Sequence, residues 1–105
     1  MLFRSQAGVL GRTLRLDAVS AAVANCVSSA AHTYDDTHLK TITHPTGPVA
    51  AAILALADTR RVSGRDALTA LTLGMEIECR VSAAITAPDA RAHGGWYIKI
   101  GRAHV

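Results

Sequence analysis

Two carboxylates, two imidazoles, four threonine hydroxyls and a lysine fall within twelve consecutive positions, Asp35-Asp36-Thr37-His38-Leu39-Lys40-Thr41-Ile42-Thr43-His44-Pro45-Thr46. The chain on either side is mostly Ala, Val, Leu and small polar residues. Polar groups taken out of water cost free energy unless paired, and active sites are a common place for such pairing. Three chemistries fit these residue types. His44 precedes a proline, so its backbone is pushed out of the helical region and into a loop. A helix starting just after Pro45 presents free N–H groups, a natural seat for a carboxylate or phosphate. An imidazole beside such a seat suits general acid–base work on an anionic substrate. Alternatively, Asp35, Asp36, His38 and His44 offer oxygen and nitrogen donors to a divalent metal, although their spacing matches no defined metal motif. The third possibility is a plain network of caps and turns.

These residues need elements to hold them. Asp17 reads as the N-cap of a first helix that starts at residue 18. Val19, Ala22, Val23, Cys26 and Val27, then Ala30 and Ala31, recur at the spacing of one apolar helical face. That helix is expected to end between residues 33 and 37, which puts Thr33 and Thr37 on a shared face. Residues 38–45 form a loop. A second helix, about 48–58, has Pro48 in its first turn and is apolar nearly all round. Such a helix is buried on all sides, which points to a larger helical assembly. Ser63 and Asp66 form a capping box with Asp in place of Glu, opening a third helix over 64–85. On it Leu68, Leu71, Met75, Glu78, Cys79 and Ser82 trace one stripe, and Glu76 with Arg80 makes an i, i+4 ion pair. Residues 6–16 read as an entry segment. The architecture expected is all-α, about three helices with connecting loops.

Composition narrows the function classes. A chain of 105 residues makes one domain at most, and its hydrophobic half is largely alanine with only four aromatic residues. Cys26 and Cys79 lack C-x-x-C spacing and read as free thiols of a reducing, cytoplasmic compartment. The longest apolar run, 49–57, falls well short of the roughly 20 residues of a membrane span. Residues 1–5 match GTG-CTC-TTC-CGA-TCT and residues 100–105 match ATC-GGA-AGA-GCA-CAC-GTC, both sequencing-adapter DNA. The native part is therefore expected to be residues 6–99, a stretch of a longer chain. The net charge of +3 includes Arg4 and Arg102; without them nine basic residues face eight acidic ones. A charge of +1 gives no support to a nucleic-acid or membrane partner.

Several short motifs together resemble the MmgE/PrpD family, which includes 2-methylcitrate dehydratase, cis-aconitate decarboxylase and iminodisuccinate epimerase. They are Ala24-Asn25-Cys26, Ala31-His32, Asp35-Asp36-Thr37-His38, His44-Pro45-Thr46, Gly64-Arg65-Asp66, Gly74-Met75-Glu76-Ile77 and Gly95-Trp96. The resemblance implies a middle section of a large helical domain, in a full-length protein that is commonly a homodimer with a smaller lid domain. It implies proton abstraction next to a carboxylate on a small di- or tricarboxylate, with no metal or organic cofactor. It makes His44 and Thr37 the catalytic residues, with Asp36, His38 and Tyr97 at the substrate. Thr33 stands where the family usually has a further Asp, and Tyr97 where it often has His. The family's catalytic lysine falls beyond residue 99, so the 105-residue chain is expected to be inactive alone.

Overall fold

The computed structural model describes residues 6–85. Residues 1–5 and 100–105, with Tyr97, lie outside that range. Three helices dominate: α1 (Ala18–Ser29), α2 (Thr46–Ala57) and α3 (Gly64–Ile85). They are not the whole fold, because the entry segment forms a small antiparallel sheet of β1 (Ala7–Gly8) and β2 (Arg15–Leu16). The all-α expectation is corrected to mostly helical with one hairpin. Backbone bonds from Gln6 N–H to Leu16 O at 2.7 Å and from Val9 N–H to Leu14 O at 3.0 Å close the hairpin. Gly11 supplies the positive φ of 73° that its turn needs. Periodicity does not reveal strands of two residues, because two positions cannot alternate visibly.

The sheet is locked to the helices by specific bonds. The Asn25 side chain of α1 accepts from Leu10 N–H at 2.8 Å and donates to Gly8 O at 3.1 Å. Asp58, just past α2, accepts from Gly8 N–H at 2.7 Å. Ala7, Ala21 and Ala55 meet as the buried core, with Leu16, Ala18 and Ala22 packed around them. α2 is the central element and touches α1, α3 and β1.

Small residues set the helix crossings. A Cβ on Gly47 would meet Ser29 Oγ at 2.7 Å, and one on Gly74 would meet Val49 Cγ1 at 2.5 Å. This closeness explains a departure on α1. The buried face is Ala21, Asn25 and Cys26, whereas Val19, Val23 and Val27 are at least half exposed. Only the short side chains of the Ala/Asn/Cys face let α1 come so near α2, so the valine ridge is turned outward.

α1 starts as its N-cap predicts, with Asp17 Oδ1 accepting from Ser20 N–H at 3.0 Å. It ends four residues earlier than expected. The Ser28 and Ser29 hydroxyls donate back to the carbonyls of Ala24 and Cys26, competing with the helix ladder. Short bonds follow, Ala31 N–H to Ser28 O and Thr33 N–H to Ala30 O, both 3.2 Å. Thr33 then adopts a φ of 60°, so Thr33 and Thr37 share no helix face. α3 spans the expected range, and Ser63 caps it as expected: its Oγ accepts from Asp66 N–H at 3.1 Å and donates to Asp66 Oδ2 at 2.8 Å, so the carboxylate meets the Ser63 hydroxyl. Leu71, Met75, Glu78, Cys79 and Ser82 turn inward at least partly, while Leu68 is exposed.

Candidate functional site

The segment between α1 and α2 contains a tight turn. His38 N–H donates to Thr43 O at 2.8 Å, and Ile42 N–H donates to His38 O at 2.7 Å. Ile42 takes a φ of 56°, a strained position for a β-branched residue. Inside the turn a chain of side chains runs from His38 Nδ1 to Thr41 Oγ1 at 2.7 Å and on to Thr43 Oγ1 at 2.9 Å. Thr41 and Thr43 are buried, so each hydroxyl needs the partner it has. The turn delivers His44 and the buried Pro45 to the first residue of α2.

His44 sits among three oxygens. Its Nδ1 lies 2.7 Å from the Asp36 carbonyl, 3.3 Å from Thr37 Oγ1 and 3.6 Å from Asp35 Oδ2. The imidazole side chain is 15% exposed and the Asp35 side chain 7%. A carbonyl oxygen carries no proton, so Nδ1 must donate to Asp36 O. In the neutral ring that assigns the basic lone pair to Nε2. This is the orienting arrangement of a general base: one nitrogen held, the other basic.

Asp36 has a separate job with its side chain. Oδ1 accepts from Thr46 N–H at 3.2 Å and Oδ2 from Thr46 Oγ1 at 2.8 Å. Pro45 has no capping side chain, so a carboxylate ten residues away in sequence caps α2 instead. Thr46 Oγ1 also lies 3.7 Å from Met75 Sδ, which ties α3 to this cap. One turn further along α3, Glu78 is partly buried. Burial first, and then the nearby Asp36 charge, push its carboxyl above the usual range. Burial and the Glu78 charge likewise raise the Cys26 and Cys79 thiols, which are both free, Cys26 buried and Cys79 partly so. Thiols raised in this way are not activated nucleophiles.

Beside the cluster an open cleft of about 450 Å³ runs between α1 and α2. Its polar lining is Asn25, Ser29, Tyr34, Asp35, Asp36 and Thr46, over a floor of Leu10, Ala50, Ala51 and Leu54 with Gly47. No Lys, Arg or His is among these residues, and His44 stands behind Asp35 rather than in the wall.

The structure thus brings together Thr37, His44 and the Asp36 backbone. His38 is directed into its own turn. Tyr97, assigned by resemblance to the substrate, lies outside the described residues. The metal alternative gains no site, since no group of three or more His, Cys, Asp or Glu among the described residues could hold an ion. Sequence reasoning gave Asp35 only as a possible metal donor and gave Thr46 no role. A helical tract would place Asp35 about 200° from Thr37, but the chain is not helical there, and Asp35 reaches His44. Thr46 could have been found from the proline before it, since a helix that begins after Pro lacks an ordinary cap.

Among the described residues no helix is long and apolar enough to cross a membrane. A search of curated proteins and one of solved structures found no match. A family model, the MmgE/PrpD N-terminal domain, matches residues 1–105. The chain belongs to the MmgE/PrpD family, through that N-terminal domain.

Proposed function

We propose that these residues supply the acid–base half of a cofactor-independent lyase or isomerase site acting on a small di- or tricarboxylate. Membership in a family of lyase- and isomerase-type enzymes supports the reaction class. The observation that carries the reading is the orientation of His44, with Nδ1 at 2.7 Å from the Asp36 carbonyl and Asp35 close behind. His44 Nε2 removes a proton from the carbon next to a carboxylate. The resulting enolate-like anion then expels a β-hydroxyl, which takes up a proton and leaves as water, or is reprotonated on its other face; in a decarboxylation the loss of CO2 itself forms the anion, and the protonated His44 returns a proton to it. Thr37, whose hydroxyl is 3.3 Å from His44, holds or orients the substrate. Asp36 fixes the start of α2 through Thr46, with His38 and Tyr97 assigned to the substrate side by resemblance.

The developing anion needs cations or hydrogen-bond donors. Arg80 is already paired with Glu76 and no Lys, Arg or His lines the cleft, so in this reading those groups come from other parts of the full-length protein, which works as a homodimer. The 105-residue chain alone is expected to show no turnover. The test uses the full-length parent protein in D2O with cis-aconitate, 2-methylcitrate and related di- and tricarboxylates. Deuterium entering the substrate, abolished by His44→Ala and reduced by Thr37→Val, supports the reading. Full exchange in the His44→Ala protein refutes it.

A second reading treats the cluster as purely structural. The two bonds from Thr46 to the Asp36 carboxylate favour it, because they cap α2 without any chemistry. In that case His44→Ala lowers stability and leaves turnover per folded molecule unchanged.

A further inference from the structure

A second pocket lies at the far end of α2 from the His44 cluster. It has a volume of about 340 Å³, within the range of small-ligand sites. Its floor is apolar, made by Ile53, Leu56 and Val62 with Ala67 and Ala70. Leu56 and Val62 remain 44% and 37% exposed there, so the floor is not covered by the described chain. Arg60 and Arg61 stand at its edge with Asp66.

The charges in this pocket are unbalanced. Asp66 accepts from Ser63 Oγ at 2.8 Å and belongs to the capping box of α3. Neither arginine has an ion pair among the described residues. They are not needed to close α2 either. Asp58 N–H bonds Leu54 O at 3.2 Å, while Thr59 N–H and Arg60 N–H bond Leu56 O at 3.0 and 3.2 Å. Thr59 Oγ1 adds a further bond to Leu56 O at 2.8 Å. The helix end is thus satisfied by backbone and one hydroxyl, leaving two guanidinium groups above an exposed apolar floor. Guanidinium groups are rigid forks of donors that match a carboxylate with two parallel bonds.

We propose that this pocket binds a small amphiphilic carboxylate, with its headgroup on Arg60 and Arg61 and its apolar chain on Ile53, Leu56, Val62, Ala67 and Ala70. The site is independent of the His44 cluster and of the reaction proposed for it. Such a ligand would bridge the α2–α3 connection, so its binding reports on the relative position of these two helices.

The experiment is a titration of the full 105-residue chain followed by amide NMR, with sodium hexanoate as probe and inorganic phosphate and hexanol as controls. The expected result is saturable shifts centred on residues 53–70 with hexanoate. Affinity should be about tenfold or more weaker for Arg60→Gln/Arg61→Gln, as for loss of a bidentate charge-assisted contact. Both side chains are exposed, so the variant should keep the fold, checked by its unshifted spectrum elsewhere. An Ile53→Ser variant should weaken hexanoate and leave phosphate unaffected. Phosphate binding as tightly as hexanoate overturns the proposal, because the floor then contributes nothing. Hexanol binding as tightly overturns it as well, because the arginines then contribute nothing. Absence of saturable shifts with hexanoate also overturns it.

Discussion

The α2–α3 crossing gives the sharpest stability test, because one missing Cβ decides it. A Cβ on Gly74 would lie 2.5 Å from Val49 Cγ1, 3.2 Å from Cγ2 and 3.5 Å from Cβ. Two opposed effects follow in Gly74→Ala. Removing a glycine from a helix interior stabilises by about 1 kcal/mol. Forcing a methyl into this contact costs about 1–3 kcal/mol, typical of overpacking. Val49 cannot simply rotate away, since a valine on a helix strongly prefers one χ1 rotamer and both its methyls face the new group. The clash should win, with a net loss of up to about 2 kcal/mol. Val49→Ala removes both clashing methyls and leaves a contact of 3.5 Å, which is ordinary packing. In the Val49→Ala background, Gly74→Ala should therefore stabilise by about 1 kcal/mol. The coupling between the two sites should be about 1–3 kcal/mol, within the range for residues in contact. Urea denaturation of the four proteins, followed by far-UV circular dichroism, measures each term. Should Gly74→Ala stabilise the protein with Val49 intact, the crossing is not as close as described. The position of Met75 against Thr46 would then be in doubt too.

Other outcomes follow from the site itself. His44 should be found as the Nδ1–H tautomer by long-range nitrogen NMR of the neutral ring, and an Nε2–H tautomer would remove the basis for its assignment as base. Asp36→Ala and Thr46→Val should each destabilise α2 by about 1 kcal/mol through loss of the cap, measured by urea denaturation; an unchanged midpoint for both rejects the long-range cap. Glu78 is held above its ordinary carboxyl value of 4.5 by burial and then by Asp36. A raised acid binds its proton more tightly in the folded state, so stability should fall as pH rises from about 4.5 through the folded value and level off beyond it. Glu78→Gln should flatten that slope and raise the urea midpoint at neutral pH; a slope unchanged in the Gln variant contradicts this. Ile42→Asn relieves a left-handed β-branched residue that is half exposed, and should raise stability by up to about 1 kcal/mol in the same assay.

Local chemistry made much of the fold legible from the residues alone. Asp17, the Ser63/Asp66 box and the 64–85 periodicity announced helix ends correctly, because caps and amphipathic repeats act within a few residues. The D-D-T-H and H-P-T motifs announced the family. The cluster between α1 and α2 was also visible as a density of polar side chains in an alanine-rich chain.

What stayed hidden depended on contacts between distant parts. The end of α1 hinged on two serine hydroxyls competing with the helix ladder and on Thr33 turning left-handed. That turn moved Asp35 from the far side of an imagined helix to within 3.6 Å of His44. The hairpin of residues 7–16 is held by Asn25 and Asp58, neither of them nearby in sequence. Which face of α1 is buried was set by Gly47 and Ser29, whose close approach admits only small side chains. Residue types and spacing determined where helices begin and which side chains could do chemistry. Only tertiary packing decided which of those side chains meet, because a hydrogen bond or a missing Cβ at a crossing acts between residues that the linear chain keeps apart.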